Sequence, residues 1–91
     1  MRRAARTDRN HAGIVEAFRS LGWGVWDTSQ LGGGGPDLVV WRSGVVKMVE
    51  VKDAGGTLTP AQRKFHTTAP VTVVRSLEDV EAVTRRWIRC R

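Results

Sequence analysis

Hydrophobic and polar positions change period several times along the chain, and the changes mark its elements. Ile14, Val15, Phe18 and Leu21 form one apolar stripe at helical spacing, which predicts a helix over residues 8–21. Thr7 or Asp8 can cap its start and Gly22 can end it. Residues 23–28 alternate as a short first strand, with Trp23 and Trp26 on opposite faces. Two apolar runs, 36–42 and 45–52, flank Ser43-Gly44 and read as a β-hairpin. Thr59-Pro60-Ala61-Gln62 carries the marks of a helix start: a capping residue, proline at the first helical position and a capping-box glutamine. Residues 71–75 form a fourth strand. A last helix begins at Ser76, with Leu77, Val80, Val83 and Trp87 as its buried stripe. The order is α-β-β-β-α-β-α. The hairpin is apolar on both faces, so helices are expected on both sides of the sheet, in a layered α/β domain and not a barrel. Lys47 breaks the apolar pattern near the turn, where it can reach water.

The hairpin also concentrates charge. With a two-residue loop, Arg42 faces Val45, and counting back sets Asp37 opposite Glu50. Lys52 leaves the same face as Glu50, two residues on. Like charges directly opposed destabilise a sheet, which points to a cation between them. Oxygen donors of this kind suit Mg2+ or Mn2+ and not zinc. Spacing alone leaves a second reading open, in which Asp37 caps a strand and Glu50 and Lys52 form a solvated strand end.

Other positions carry weaker signals. The tract Gly32-Gly33-Gly34-Gly35 permits close approach of backbone to a ligand, with Gly34 and Gly35 as candidate DNA contacts, or it is a connector. It is not a P-loop, since no Gly-Lys-Ser/Thr follows. Arg63 and Lys64 are candidate phosphate contacts or a solvated helix face. Gln62 caps its own helix or reaches the site. His66 is a helix-surface residue or a catalyst.

Charge narrows the partner. The 91 residues hold 15 Lys plus Arg against 9 Asp plus Glu, a formal net charge of +6 that suits a polyanion. A membrane surface competes as that polyanion, but no segment is long and apolar enough to span one. Cys90 is the single cysteine, so no internal disulfide is possible, and one cysteine with two histidines makes no structural zinc site. Arg2, Arg3 and Arg6 lack a following apolar run, so they are not a secretory signal, and a cytoplasmic location follows by default. Residues 1–7 are a flexible basic arm or a DNA-contacting one.

Pro36-Asp37, then Glu50-Val51-Lys52 on the next strand, resembles the PD-(D/E)XK nuclease superfamily. The closer resemblance is to its small stand-alone VRR-NUC type, found largely in phages and prophages. It rests on Leu21-Gly22-Trp23, the approach from Gly32 to Leu38, Glu50 to Asp53, Leu58 to Gln62 and Phe65-His66, in that order over residues 8–83. The resemblance implies one domain over residues 1–91 with a restriction-endonuclease-like core, α-β-β-β-α-β plus a C-terminal helix, and a mixed sheet flanked by helices. It implies a metal-dependent DNA endonuclease. Asp37, Glu50 and the backbone carbonyl of Val51 would hold Mg2+ (or Mn2+), Lys52 would act on the attacking water, and Gln62 would reach Lys52 or the phosphate. Related nucleases often draw a further glutamate from the first helix. The matching position here lies near Asn10 and His11, neither a carboxylate; Asn10 takes a polar role there or contacts DNA, and Glu16 is the other candidate. Relatives of this type act on branched DNA such as four-way junctions, often as homodimers. Two alternatives stand beside this: a flap or single-strand nickase of the same fold, and a non-catalytic nucleic-acid-binding module.

Overall fold

The computed structural model describes residues 9–89. Its elements run α1 (His11–Ser20), β1 (Gly24–Asp27), β2 (Leu38–Arg42), β3 (Val45–Val51), α2 (Pro60–His66), β4 (Val71–Val74) and α3 (Leu77–Arg89). The strands form one sheet in the order β1-β2-β3-β4. The first three are antiparallel and β4 runs parallel to β3, with α2 on the crossover, so the sheet is mixed as expected. Among the described residues no helix is long and apolar enough to cross a membrane. The capping candidates Thr7 and Asp8 and the basic arm lie outside the described residues.

Hairpin register follows from its turn. Ser43 and Gly44 both take positive φ, 52° and 82°, which gives a two-residue turn whose twist matches the strands. Arg42 therefore pairs with Val45 and Leu38 with Val49. Pairing sorts the side chains into two faces. Leu38, Val40, Val49, Val51 and Val74 face α1 and α3 and are buried against Ile14, Phe18, Val80, Val83 and Trp87. Lys47 shares that face: the residue stays partly exposed near the turn, and its ammonium stands 5.6 Å over the Trp87 ring, a cation–π contact that accommodates a charge on an apolar strand.

Gly22 ends α1 as the spacing predicts. Its φ of +88° lets the Trp23 N–H donate back to the Phe18 carbonyl at 3.0 Å and its own N–H to Arg19 at 3.0 Å. The return brings Trp23 edge-on to Phe18, with ring centroids 6.4 Å apart, and onto Trp87 at 5.5 Å. Trp23 is buried and Trp26 lies on the opposite face, 58 % exposed. Leu21 and Leu77, expected in the buried stripes, sit at helix ends and are exposed, while Thr84 is buried in α3.

The second face of the sheet is covered differently from expectation. Of the helices, only the short α2 lies on it, over the Glu50 end of β3. Seven helical residues span about 10 Å, whereas seven strand residues span about 23 Å. Among the described residues, no helix covers the turn end of this face.

Candidate active site

Three segments meet where β2 begins and β3 ends. Thr28 fixes the first: its N–H donates to the Asp37 carbonyl at 2.8 Å and its hydroxyl to the Pro36 carbonyl at 2.7 Å. These bonds close the glycine tract and set Asp37 at the mouth of β2. Regular pairing stops at Leu38 and Val49, and the Asp37 N–H donates to the Val49 carbonyl at 2.9 Å. The Asp37 carboxylate accepts the Val51 N–H at 2.9 Å, one peptide unit from Glu50. The two carboxylates thus belong to one strand junction, as the hairpin count anticipates.

Glu50 is 1 % exposed, so the solvated-strand-end reading does not hold for it. A buried carboxylate needs donors and counter-charge. Gln62 donates its amide N–H to Glu50 Oε2 at 2.8 Å, and the Lys52 ammonium stands 3.7 Å from the same oxygen. Lys52 is itself 8 % exposed, with its N–H held by the Val74 carbonyl at 3.0 Å. Glu50 and Lys52 leave the same face of β3, as their spacing requires.

Gln62 caps its helix and also reaches Glu50, where the resemblance implied Lys52 or the phosphate. Its carbonyl oxygen accepts the Thr59 N–H at 2.9 Å while the Thr59 hydroxyl accepts the Gln62 N–H at 3.1 Å, a complete capping box. The other end of the amide is turned to Glu50. Thr59→Ala is expected to cost about 1 kcal/mol of stability and leave any cleavage rate near the parent's. Gln62→Ala should cost a similar amount and also slow cleavage by roughly tenfold or more, because the orientation of Glu50 is lost. Thermal melts and rates on the two variants separate cap from site; equal rates would make Gln62 a cap alone.

Gly34 positions α2. Its φ is +77°, and an added Cβ would stand 2.5 Å from the Ala61 carbonyl oxygen. The tract therefore packs against the helix that carries Gln62. Gly35 lies beside the Phe65 ring. Arg63 and Lys64 are exposed on α2, with Arg63 donating to the Leu58 carbonyl at 3.1 Å. His66 is one helical turn beyond Gln62 on the same side of α2. Burial, and then the charge of Lys52, hold its imidazole below the ordinary histidine value. Its Nε2 is enclosed and has no hydrogen-bond partner among the described residues.

The first helix contributes an amide. Asn10 stands at the N-cap position of α1 but its side chain makes no capping bond; its side-chain N–H groups donate to the carbonyls of Arg75 at 2.9 Å and Lys52 at 3.3 Å, tying the helix to the ends of β3 and β4. Its Oδ1 is enclosed and unpartnered among the described residues. His11 turns to β1, with Nε2 2.9 Å from Asp27 Oδ2. Asp27 lies below the usual carboxylate value: partial burial pushes its pKa up but is outweighed by hydrogen bonds from the Ser29 hydroxyl and N–H and by His11. Glu16 is exposed and outside this group.

Sequence reasoning missed Arg75. Its guanidinium donates to the carbonyls of Gly56 at 2.7 Å and Asp53 at 2.9 Å, holding the turn between Lys52 and α2. The signal was an arginine closing the fourth strand, whose pairing with β3 the sequence did not give.

The donor set is all oxygen: two carboxylates and a peptide carbonyl. Among the described residues no three His, Cys, Asp or Glu side chains gather as a ligand group. So few protein ligands would suit a hard divalent cation that keeps several waters, and Asp37, Glu50 and the Val51 carbonyl are the donors that could hold one.

Two comparisons bear on the family of this fold. The family model for the VRR-NUC domain matches residues 2–69. A solved structure described as a VRR-NUC domain superposes with a TM-score of 0.69 at 33 % identity, covering 87 % of this chain and 94 % of that one. No curated protein matches the chain. A match over most of the sequence, a shared fold at this identity, and Asp37, Glu50 and Lys52 brought to one sheet end together identify the chain as a member of the VRR-NUC family, within the PD-(D/E)XK nuclease superfamily.

Proposed function

We propose that this chain is a Mg2+- or Mn2+-dependent endonuclease that hydrolyses phosphodiester bonds in DNA, acting on branched DNA such as four-way junctions as a homodimer. The observation that carries the catalytic part is the buried Glu50 carboxylate, held by Gln62 and set beside Lys52 at the strand end that also carries Asp37. A pure binding module gains nothing from burying a carboxylate where phosphates dock. Family membership implies nuclease-type activity.

Asp37, Glu50 and the Val51 carbonyl would hold the cation, which would there polarise a phosphoryl oxygen and acidify a water molecule. Lys52 supplies a compact positive charge that orients the attacking water and offsets negative charge gathering on the phosphoryl group. Gln62 keeps Glu50 in its orientation. Exposed Arg63 and Lys64 on α2 receive the flanking phosphates. Such contacts read backbone position more than base sequence, which suits a substrate distinguished by shape.

A panel of labelled four-way junctions, flaps, single strands and linear duplexes tests the substrate. Junctions should be cut fastest with Mg2+, and affinity should fall steeply as salt rises. Linear duplex cut as readily as junctions would favour a general nickase. Binding without cutting under any divalent cation would favour a non-catalytic module.

A further inference from the structure

The open part of the sheet lies on the same face as Glu50. Register assigns it two rows: Gly24, Trp41 and Val46 near the turn, then Trp26, Val39, Met48 and Val71. The Asp37 and Glu50 row comes next, about 7 Å further along β3. Neither apolar row contains a charged residue, although 26 % of the chain is charged. Trp26, Trp41 and Val46 are 58 %, 45 % and 64 % exposed. Trp41 lies across Gly24, where an added Cβ would stand 2.2 Å from the indole, so the ring is laid flat on the sheet.

We infer that these two rows are the surface on which a second copy of this chain docks; the inference rests on the homodimer proposed above and names its interface. Three observations choose that occupant. Trp26, Trp41 and Val46 are exposed side by side in adjoining rows and not scattered, a contiguous start on the roughly 800 Å² each partner gives to a stable interface. A nucleic acid would need a row of cations here, and the two rows hold none; Lys47 borders the hollow beside them, with its ammonium over Trp87 on the other face. Two copies of a chain with net charge +6 repel, so an uncharged face is where they can meet.

The surface also has the shape a two-fold contact requires. Trp26 protrudes at the β1 side. Towards β4 lies a hollow of about 660 Å³, lined by Val39, Val46, Met48, Pro70 and Val71 together with Lys47 and Thr72. A two-fold interface must be complementary to itself, each protrusion meeting a recess on the other copy. Because the patch adjoins the Asp37 and Glu50 row, docking there fixes the spacing of the two sites.

Sedimentation equilibrium on the parent, Val46→Glu, Trp26→Glu and the control Leu77→Glu tests the surface. Leu77 is 55 % exposed, at the start of α3 on the other side of the sheet. The parent and the control should sediment at twice the 10.1 kDa chain mass. Both patch variants should have a dimer dissociation constant higher by on the order of a hundredfold or more. Circular dichroism checks that they fold, and Val46→Glu suffices alone if Trp26→Glu does not. Parent and patch variants that are equally dimeric would overturn the surface and leave the homodimer standing. A parent that is monomeric at tens of micromolar would overturn both.

Discussion

Glu50→Gln is expected to reduce cleavage by roughly a thousandfold or more while the protein stays folded. The substitution keeps the side-chain volume and an oxygen that can accept the Gln62 N–H, now 2.8 Å from Glu50. What it removes is the charge that holds a divalent cation. Glu50→Ala is a poorer probe, since besides the charge it removes the side-chain volume, leaving a cavity, and the oxygen that accepts the Gln62 N–H. Circular dichroism at the assay temperature confirms folding, and single-turnover rates give the effect. A folded Glu50→Gln protein that cuts at the parent's rate would remove Glu50 from the chemistry.

Lys52→Met should lose roughly a hundredfold or more in rate with DNA affinity nearly unchanged. Methionine keeps an unbranched stem beside Gly56, where the Lys52 Cδ lies 3.5 Å from the position of an added Cβ. Lys52 is 8 % exposed, so it is poorly placed to add to ground-state binding of a large polyanion. Its charge acts where negative charge builds during reaction, which lowers the rate and not the affinity when it is lost. Gel shifts in Ca2+ and single-turnover rates in Mg2+ measure the two quantities. Binding and cleavage that fall in proportion would make Lys52 a phosphate contact.

Much of this site is legible in the sequence because its governing constraints are local. Ser43-Gly44 fixes the turn, the turn fixes the register, and the register brings Asp37 to Glu50. Thr59 and Gln62 announce their helix by a capping box that the structure contains. What was not legible depends on contacts distant in sequence. The need for glycine at position 34 comes from the Ala61 backbone, and Arg75 acts on carbonyls of residues 53 and 56. Asn10 and His11 are adjacent yet serve different strands, because successive helical side chains diverge by about 100°. The two-faced apolar hairpin correctly implied cover on both sides, but periodicity could not say that α2 would be too short to provide it. Trp26 and Trp41, which a longer helix would have buried, remain at the surface.

The central claim is that Asp37 and Glu50 hold a divalent cation for phosphodiester hydrolysis. Single-turnover cleavage of a labelled four-way junction tests it most directly, with parent and Asp37→Asn proteins side by side in Mg2+ and in EDTA. Product from the parent in Mg2+ alone is the predicted result. Product in EDTA, or from Asp37→Asn at the parent's rate, would contradict it.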